Sequence, residues 1–242
     1  MKKFIALALA ALMLLSLAAC GNDPAPTAAP TQKATETQAP ANNNTETKAP
    51  AAETTAAEAG ETKSGDIAPG EWETKGLPKI EASCLDGRVA VTSIGQSADV
   101  DVVMKQLKKL KIDYYDAKVI EASSLTSSYP ILICVVGGSS KGLGGAGLNE
   151  DEEAARVKGL LDKAKELGTK VVMIHNGGLD RRGTLSDKFI NLAFPYATYG
   201  IVLLSGDEDN LMKDILALSN VPSAFVEKTG DVQTVLKWMF GK

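Results

Sequence analysis

The chain has 242 residues, 44% of them hydrophobic, and a formal charge of −4 at neutral pH. That much apolar material suffices for a folded core, and the acidic balance lacks the basic footprint that nucleic-acid binding requires. With 1 histidine and 3 cysteines the chain also lacks the clustered imidazoles and thiolates of a zinc site, so no metal is expected.

The first element is a leader. Lys2 and Lys3 precede an apolar run over residues 4–19. At roughly 16 residues it matches the apolar region of a secretory signal and falls short of the ~20 that a permanent membrane helix needs. The run closes on Leu17-Ala18-Ala19-Cys20, which resembles the bacterial lipobox at every position. The resemblance implies cleavage before Cys20 and lipidation of its sulfur. The mature chain would then sit on the extracytoplasmic face of the cell membrane, with that membrane as its one identified partner. Each buried lipid methylene contributes ~0.8 kcal/mol, so two or three acyl chains hold the protein there durably. Loss of Lys2 and Lys3 with the leader makes the mature chain two charges more negative.

Residues 20–76 read as the lipidated cysteine and a disordered tether, because residues 21–66 contain no Val, Ile, Leu, Met or aromatic side chain. A segment with nothing to bury cannot offset its own ordering entropy. Its root-mean-square span would be about 40 Å at ~5–6 Å × √n. Residues 77–242 read as one domain, large enough to bury ~70% of its unfolded surface.

Within that domain, strand-like and amphipathic helical runs alternate. Strands are predicted over 88–93, 113–120, 131–136, 170–174, 199–204 and 223–226. Helices are predicted over 98–110, 149–167, 186–192, 208–218 and 231–240. The third of these strands is apolar throughout, as a strand buried on both faces must be, and it sequesters Cys134 away from Cys84. Asn149 and Glu152 form a capping box ahead of the long helix, and Gly168 ends it. Val232, Val235, Leu236 and Met239 read as core. The alternation predicts an α/β fold of three layers. Its open, mainly parallel sheet would have five or six strands, flavodoxin-like or Rossmann-like.

In such a sheet, ligands bind beyond the carboxyl ends of the strands. Three loops leave those ends with glycines and hydrogen-bond donors: Ser93 to Asp99, Gly137 to Gly147, and His175 to Gly183. From them the candidate ligand-binding residues are Gln96, Ser97, Asp99, Ser139, Ser140, Lys141, His175, Arg181 and Arg182. The guanidinium pair suits a carboxylate or phosphate. Ser97 and Ser186 also read as helix caps, with Asp99 and Asp187 in the first turns and Asp207 to Asp209 opening a further helix.

Familiar motifs in these loops weaken on reading. Gly142-Leu143-Gly144-Gly145-Ala146-Gly147 spells a dinucleotide fingerprint, yet it stands five residues past its strand and precedes an acidic helix start. Gly138-Ser139-Ser140-Lys141-Gly142 spells a nucleophile motif, but its only imidazole, His175, follows soon after in a non-standard order.

The first two loops, together with Arg181-Arg182-Gly183 and Ser186-Asp187-Lys188, resemble those of the bacterial family called domain of unknown function 6305. The resemblance spans roughly residues 81–240 and implies a single α/β domain, with no catalytic residue and no identified cofactor. The leading expectation is a membrane-anchored extracytoplasmic module that binds a small polar or anionic ligand, without enzymatic activity. A flavin-binding protein, a hydrolase or transferase using Ser140, Lys141 or His175, and a purely structural interaction domain are the alternatives.

Overall fold

The computed structural model describes residues 67–242; the leader, lipidated Cys20 and tether expected over residues 1–66 lie outside the described residues. The first strand, β1 (Val89–Ile94), leads into α1 (Asp99–Lys109), β2 (Tyr114–Asp116), β3 (Ile131–Val136), α2 (Ser140–Gly145) and α3 (Glu150–Leu167). Then follow β4 (Lys170–His175), α4 (Thr184–Ala193), β5 (Tyr199–Leu203), α5 (Leu211–Ala217), β6 (Ser223–Val226) and α6 (Thr229–Met239). The strands form one sheet in the order β2-β1-β3-β4-β5-β6, and every neighbouring pair is parallel. This is the predicted three-layer α/β architecture.

Alternate residues along each central strand serve opposite faces. Ile131, Ile133 and Val135 of β3 join the core beneath α1 and α6, while Leu132, Cys134 and Val136 join the core beneath α3, α4 and α5. Both faces are therefore dry, which is why these strands are continuous apolar runs and why helical crossovers are required between them. Cys134 is fully enclosed, and burial pushes its thiol up to about 12; Cys84 is half-buried, and both are free. Helix α3 starts on the capping box: Asn149 Oδ1 accepts the Asp151 and Glu152 amides, and Glu152 returns a bond to the Asn149 N–H. It ends at Gly168, whose φ of 67° is the left-handed stop that glycine makes without strain.

Four expectations are corrected. The second strand has 3 residues, not eight, because after Asp116 the chain leaves the ladder and crosses the end of β1, its Lys118 carbonyl accepting the Ser93 N–H. The glycine-rich stretch after β3 is no loose loop, since it contains α2. Ser186 caps nothing: it lies inside α4, buried, and its Oγ accepts the Gly138 N–H.

Residues 67–76, expected as part of the tether, also pack onto the domain. Residues 67–85 form a strap over the edge of the sheet. The Phe225 N–H donates to the Glu73 carbonyl at 2.7 Å and the Ser223 N–H to the Pro78 carbonyl at 2.9 Å, closing the outer edge of β6. Trp72 packs edge-on against Trp238, and Trp72, Leu77, Ile80 and Leu85 are buried.

Candidate functional site

β1 and β3 are neighbours, yet the chain leaves them in opposite directions, toward β2 and toward β4 respectively. Their crossovers diverge and open a crevice between the two loops at their carboxyl ends, the usual ligand position in a parallel sheet. A cleft of about 740 Å³ lies there. Its walls come from the β1–α1 loop, the start of α2, the stretch after β2, and Arg181.

The loops that frame it are held in an unusual conformation. Gly95 and Gln96 both have positive φ, 83° and 60°; the second costs of order 1 kcal/mol for a residue with a side chain. The cost is met from below. Glu153 of α3 is wholly buried, and its Oε1 accepts the Gly95 N–H at 2.9 Å and Gln96 Nε2 at 3.0 Å. Arg156 pairs with Glu153 at 2.7 Å and donates onward to the carbonyls of Ser93 and Ile120, both at 2.8 Å. One buried ion pair thereby fixes the cleft's floor from three directions. Neither residue was singled out from the sequence. The signal was present, because positions 153 and 156 fall on the same helical stripe as Val157, Leu160 and Leu161, where a charge is out of place unless it is paired.

The β3 loop docks on the β1 loop through the Gly137 and Ser139 amides, which donate to the carbonyls of Ile94 and Gly95. Ser139 caps α2, its Oγ accepting the Gly142 N–H at 3.0 Å. Helix α2 forms despite its glycines because Gly142 rests directly on the Gln96 carbonyl, where a Cβ would collide. Gly142→Ala should therefore cost about 1–3 kcal/mol of stability. Gly144→Ala, whose Cβ would meet nothing, should raise stability by roughly 0.4–1 kcal/mol. Thermal unfolding of the two variants gives shifts of opposite sign, and equal shifts would contradict the close approach.

Most of the predicted site residues gather here, but few are free to meet a ligand. Gln96 is bound to Glu153. Ser97 is buried; its Oγ accepts the Asp99 N–H at the entrance to α1 and donates to Asp99 Oδ2 at 2.6 Å. Asp99 Oδ2 also takes Arg181 Nε at 3.2 Å. Ser139 is a cap and Ser140 is exposed in the first turn of α2. Lys141 lines the cleft, exposed and with no ion pair among the described residues. Arg181 is 40% exposed and engages Asp99 through Nε alone, leaving both terminal nitrogens available. Lys118, also overlooked in the sequence, lines the cleft and pairs with Asp101 at 2.7 Å.

His175 and Arg182 stand apart from the cleft. The His175 ring is fully buried, with Nδ1 3.0 Å from the Val136 carbonyl and Nε2 3.3 Å from that of Gly178. Facing two acceptors, neither nitrogen is open to act as a base on Ser140, so a Ser140–His175 relay is not assembled. Arg182 is locked: Nε reaches Asp187 at 2.7 Å, two nitrogens grip Asp209 at 2.8 and 2.9 Å, and the Gly206 carbonyl takes a further bond. The same grip holds Asp209 down to about 2. Arg182 thus staples the loops after β4 and β5 together, while Asp207 orders the start of α5 by accepting the Met212 amide.

Burial lowers the His175 pKa below its ordinary 6.5. As pH falls through 6.5 the unfolded chain takes up a proton that the folded one refuses, so stability should decline below about pH 6.5. Because His175 is the only imidazole, denaturant unfolding between pH 7.5 and pH 5 reads this directly, and a flat profile would refute the assignment.

Among the described residues no aromatic ring lines the cleft, so its described walls offer no face on which a flavin or nucleobase could stack. Among the described residues, no group of three His, Cys, Asp or Glu side chains could hold a metal ion, and no helix is long and apolar enough to cross a membrane.

No curated protein matches the chain. The solved structure of a proposed acylhydrolase from Bacteroides fragilis is weakly similar, with 10% identity and a TM-score of 0.29 over 62% of this chain and 72% of that one; at that score the likeness carries no argument. The family described as a domain of unknown function, DUF6305, matches residues 86–240, from the turn before β1 to the end of α6, and the chain belongs to it.

Proposed function

We propose that the protein is a lipid-anchored, extracytoplasmic binding module whose cleft takes a small polar ligand bearing an anionic group. The anchor rests on the lipobox-like end of the leader at Cys20. The polar, core-less composition of residues 21–66 is what a spacer between anchor and domain requires. The observation that carries the binding reading is the pairing, in one cleft at the sheet's switch point, of an unpaired Lys141 with the two unused nitrogens of Arg181. Together they present donors for an anion. A hydrolase relying on a Ser–His pair would need an imidazole at Ser140, and the chain's one imidazole, His175, is enclosed between the Val136 and Gly178 carbonyls.

Two measurements test the proposal. Metabolic labelling with a radioactive fatty acid should mark the wild-type chain and fail on Cys20→Ala; equal labelling of both would remove the anchor. Thermal-shift screening against carboxylates, phosphates and sugars should find stabilisers that Lys141→Ala abolishes, and no stabiliser from any class would sink the binding reading.

A further inference from the structure

We infer that the ligand of this cleft is a monocarboxylate with a short aliphatic body. The inference rests on the binding reading above and names its ligand class. The charges decide the head group. Lys118 is already paired with Asp101, and Arg181 is partly compensated by Asp99, whereas Lys141 faces the cleft with no counter-ion. One positive charge is thereby left over, which a single carboxylate balances. A phosphate monoester would bring a second negative charge close to Asp99 and Asp101, where it would be repelled. The planar fork of Arg181, held at Nε by Asp99, points its remaining nitrogens as a pair, which suits the two oxygens of a carboxylate.

The walls decide the body. Beyond the cations, the polar lining groups, Gln96, Ser97 and Ser139 among them, are already bonded within the protein, and small or aliphatic residues such as Ala98, Val119 and Ala146 line the rest. Val119 is 37% exposed, an apolar side chain left toward water at the cleft. A hydrocarbon chain would cover it, whereas a nucleobase would find no aromatic platform there and a sugar would meet polar side chains already engaged within the protein.

The test uses the chain from residue 20 onward with Cys20→Ser, and calorimetric titration with acetate, hexanoate, octanoate and inorganic phosphate. Octanoate should bind, and affinity should rise about two- to fourfold per methylene along the series, the gain expected for partial to full burial of each group. Lys141→Ala and Arg181→Ala should each weaken octanoate about tenfold or more. Val119→Asp, at a position 37% exposed, should flatten the chain-length series. Equal affinity for acetate and octanoate, or Lys141-dependent binding of phosphate without octanoate, overturns the monocarboxylate assignment while leaving an anion site in place. Absence of binding by all four probes, repeated with neutral sugars, overturns the site itself.

Discussion

Arg156→Met lowers the unfolding free energy by about 3–5 kcal/mol, the loss that follows when one member of a buried ion pair is removed and the other is stranded. The side chains of Glu153 and Arg156 are 0% and 3% exposed, so the carboxylate left behind has no water to turn to. Two carbonyls, those of Ser93 and Ile120, each lose the guanidinium donor as well. Glu153→Gln should be milder, because the amide oxygen can still accept from Gly95 and only the charge is lost. Removing both charges with Glu153→Leu and Arg156→Leu should cost less than the two single replacements added together, since no lone charge remains. Urea unfolding measures all of this as a shift in midpoint at constant slope. A loss below about 1 kcal/mol for Arg156→Met would mean that the pair merely fills space. The effect extends to the cleft, because the left-handed Gly95-Gln96 turn is bonded to Glu153 and should loosen with it.

The parts of this fold that were legible from sequence are those whose cause is local. A sheet buried on both faces needs unbroken apolar strands, and residues 131–136 announce such a strand without any partner in view. Asn149, Glu152 and Gly168 mark the ends of α3 because caps are satisfied by neighbours within four residues. Illegible parts depend on distant contacts. Nothing near Gly142 says that it will sit on the Gln96 carbonyl, so a run rich in glycine reads as a loop. Arg181 and Arg182 are adjacent and chemically identical, yet one is half-open over the cleft and the other is consumed by Asp187 and Asp209, the second of these 27 residues away. His175 advertises chemistry by its type and position, and only the carbonyls of Val136 and Gly178 reveal that the ring is a strut. Composition therefore located the loops, while pairing and burial chose which of their side chains could still act.

Truncation to residue 86, where the family match begins, should abolish stable folding, although residues 67–85 lie outside that match. The strap contributes four buried apolar side chains, Trp72, Leu77, Ile80 and Leu85. At about 1.5–3 kcal/mol each, their removal takes away as much as the whole net stability of a typical domain, about 5–15 kcal/mol. The truncation also uncovers the β6 edge, whose Ser223 and Phe225 amides lose their acceptors, and it exposes Trp238, whose Nε1 otherwise donates to the Ile80 carbonyl at 3.0 Å. A bare parallel edge beside an uncovered tryptophan is a template for pairing with a second chain. Asp207 loses a partner too: it is fully buried and takes Lys75 Nζ on its Oδ2 at 3.2 Å. Lys75→Met alone should therefore lower stability by about 1–3 kcal/mol, the cost of leaving a buried acceptor without its charged donor. Chains starting at residues 67 and 86 can be compared by circular dichroism melting and gel filtration. The longer one should unfold cooperatively as one species, and the shorter should aggregate or melt without a sharp transition. A shorter chain that melts as cooperatively as the longer would show that the sheet closes its own edge and that the strap only rests on it.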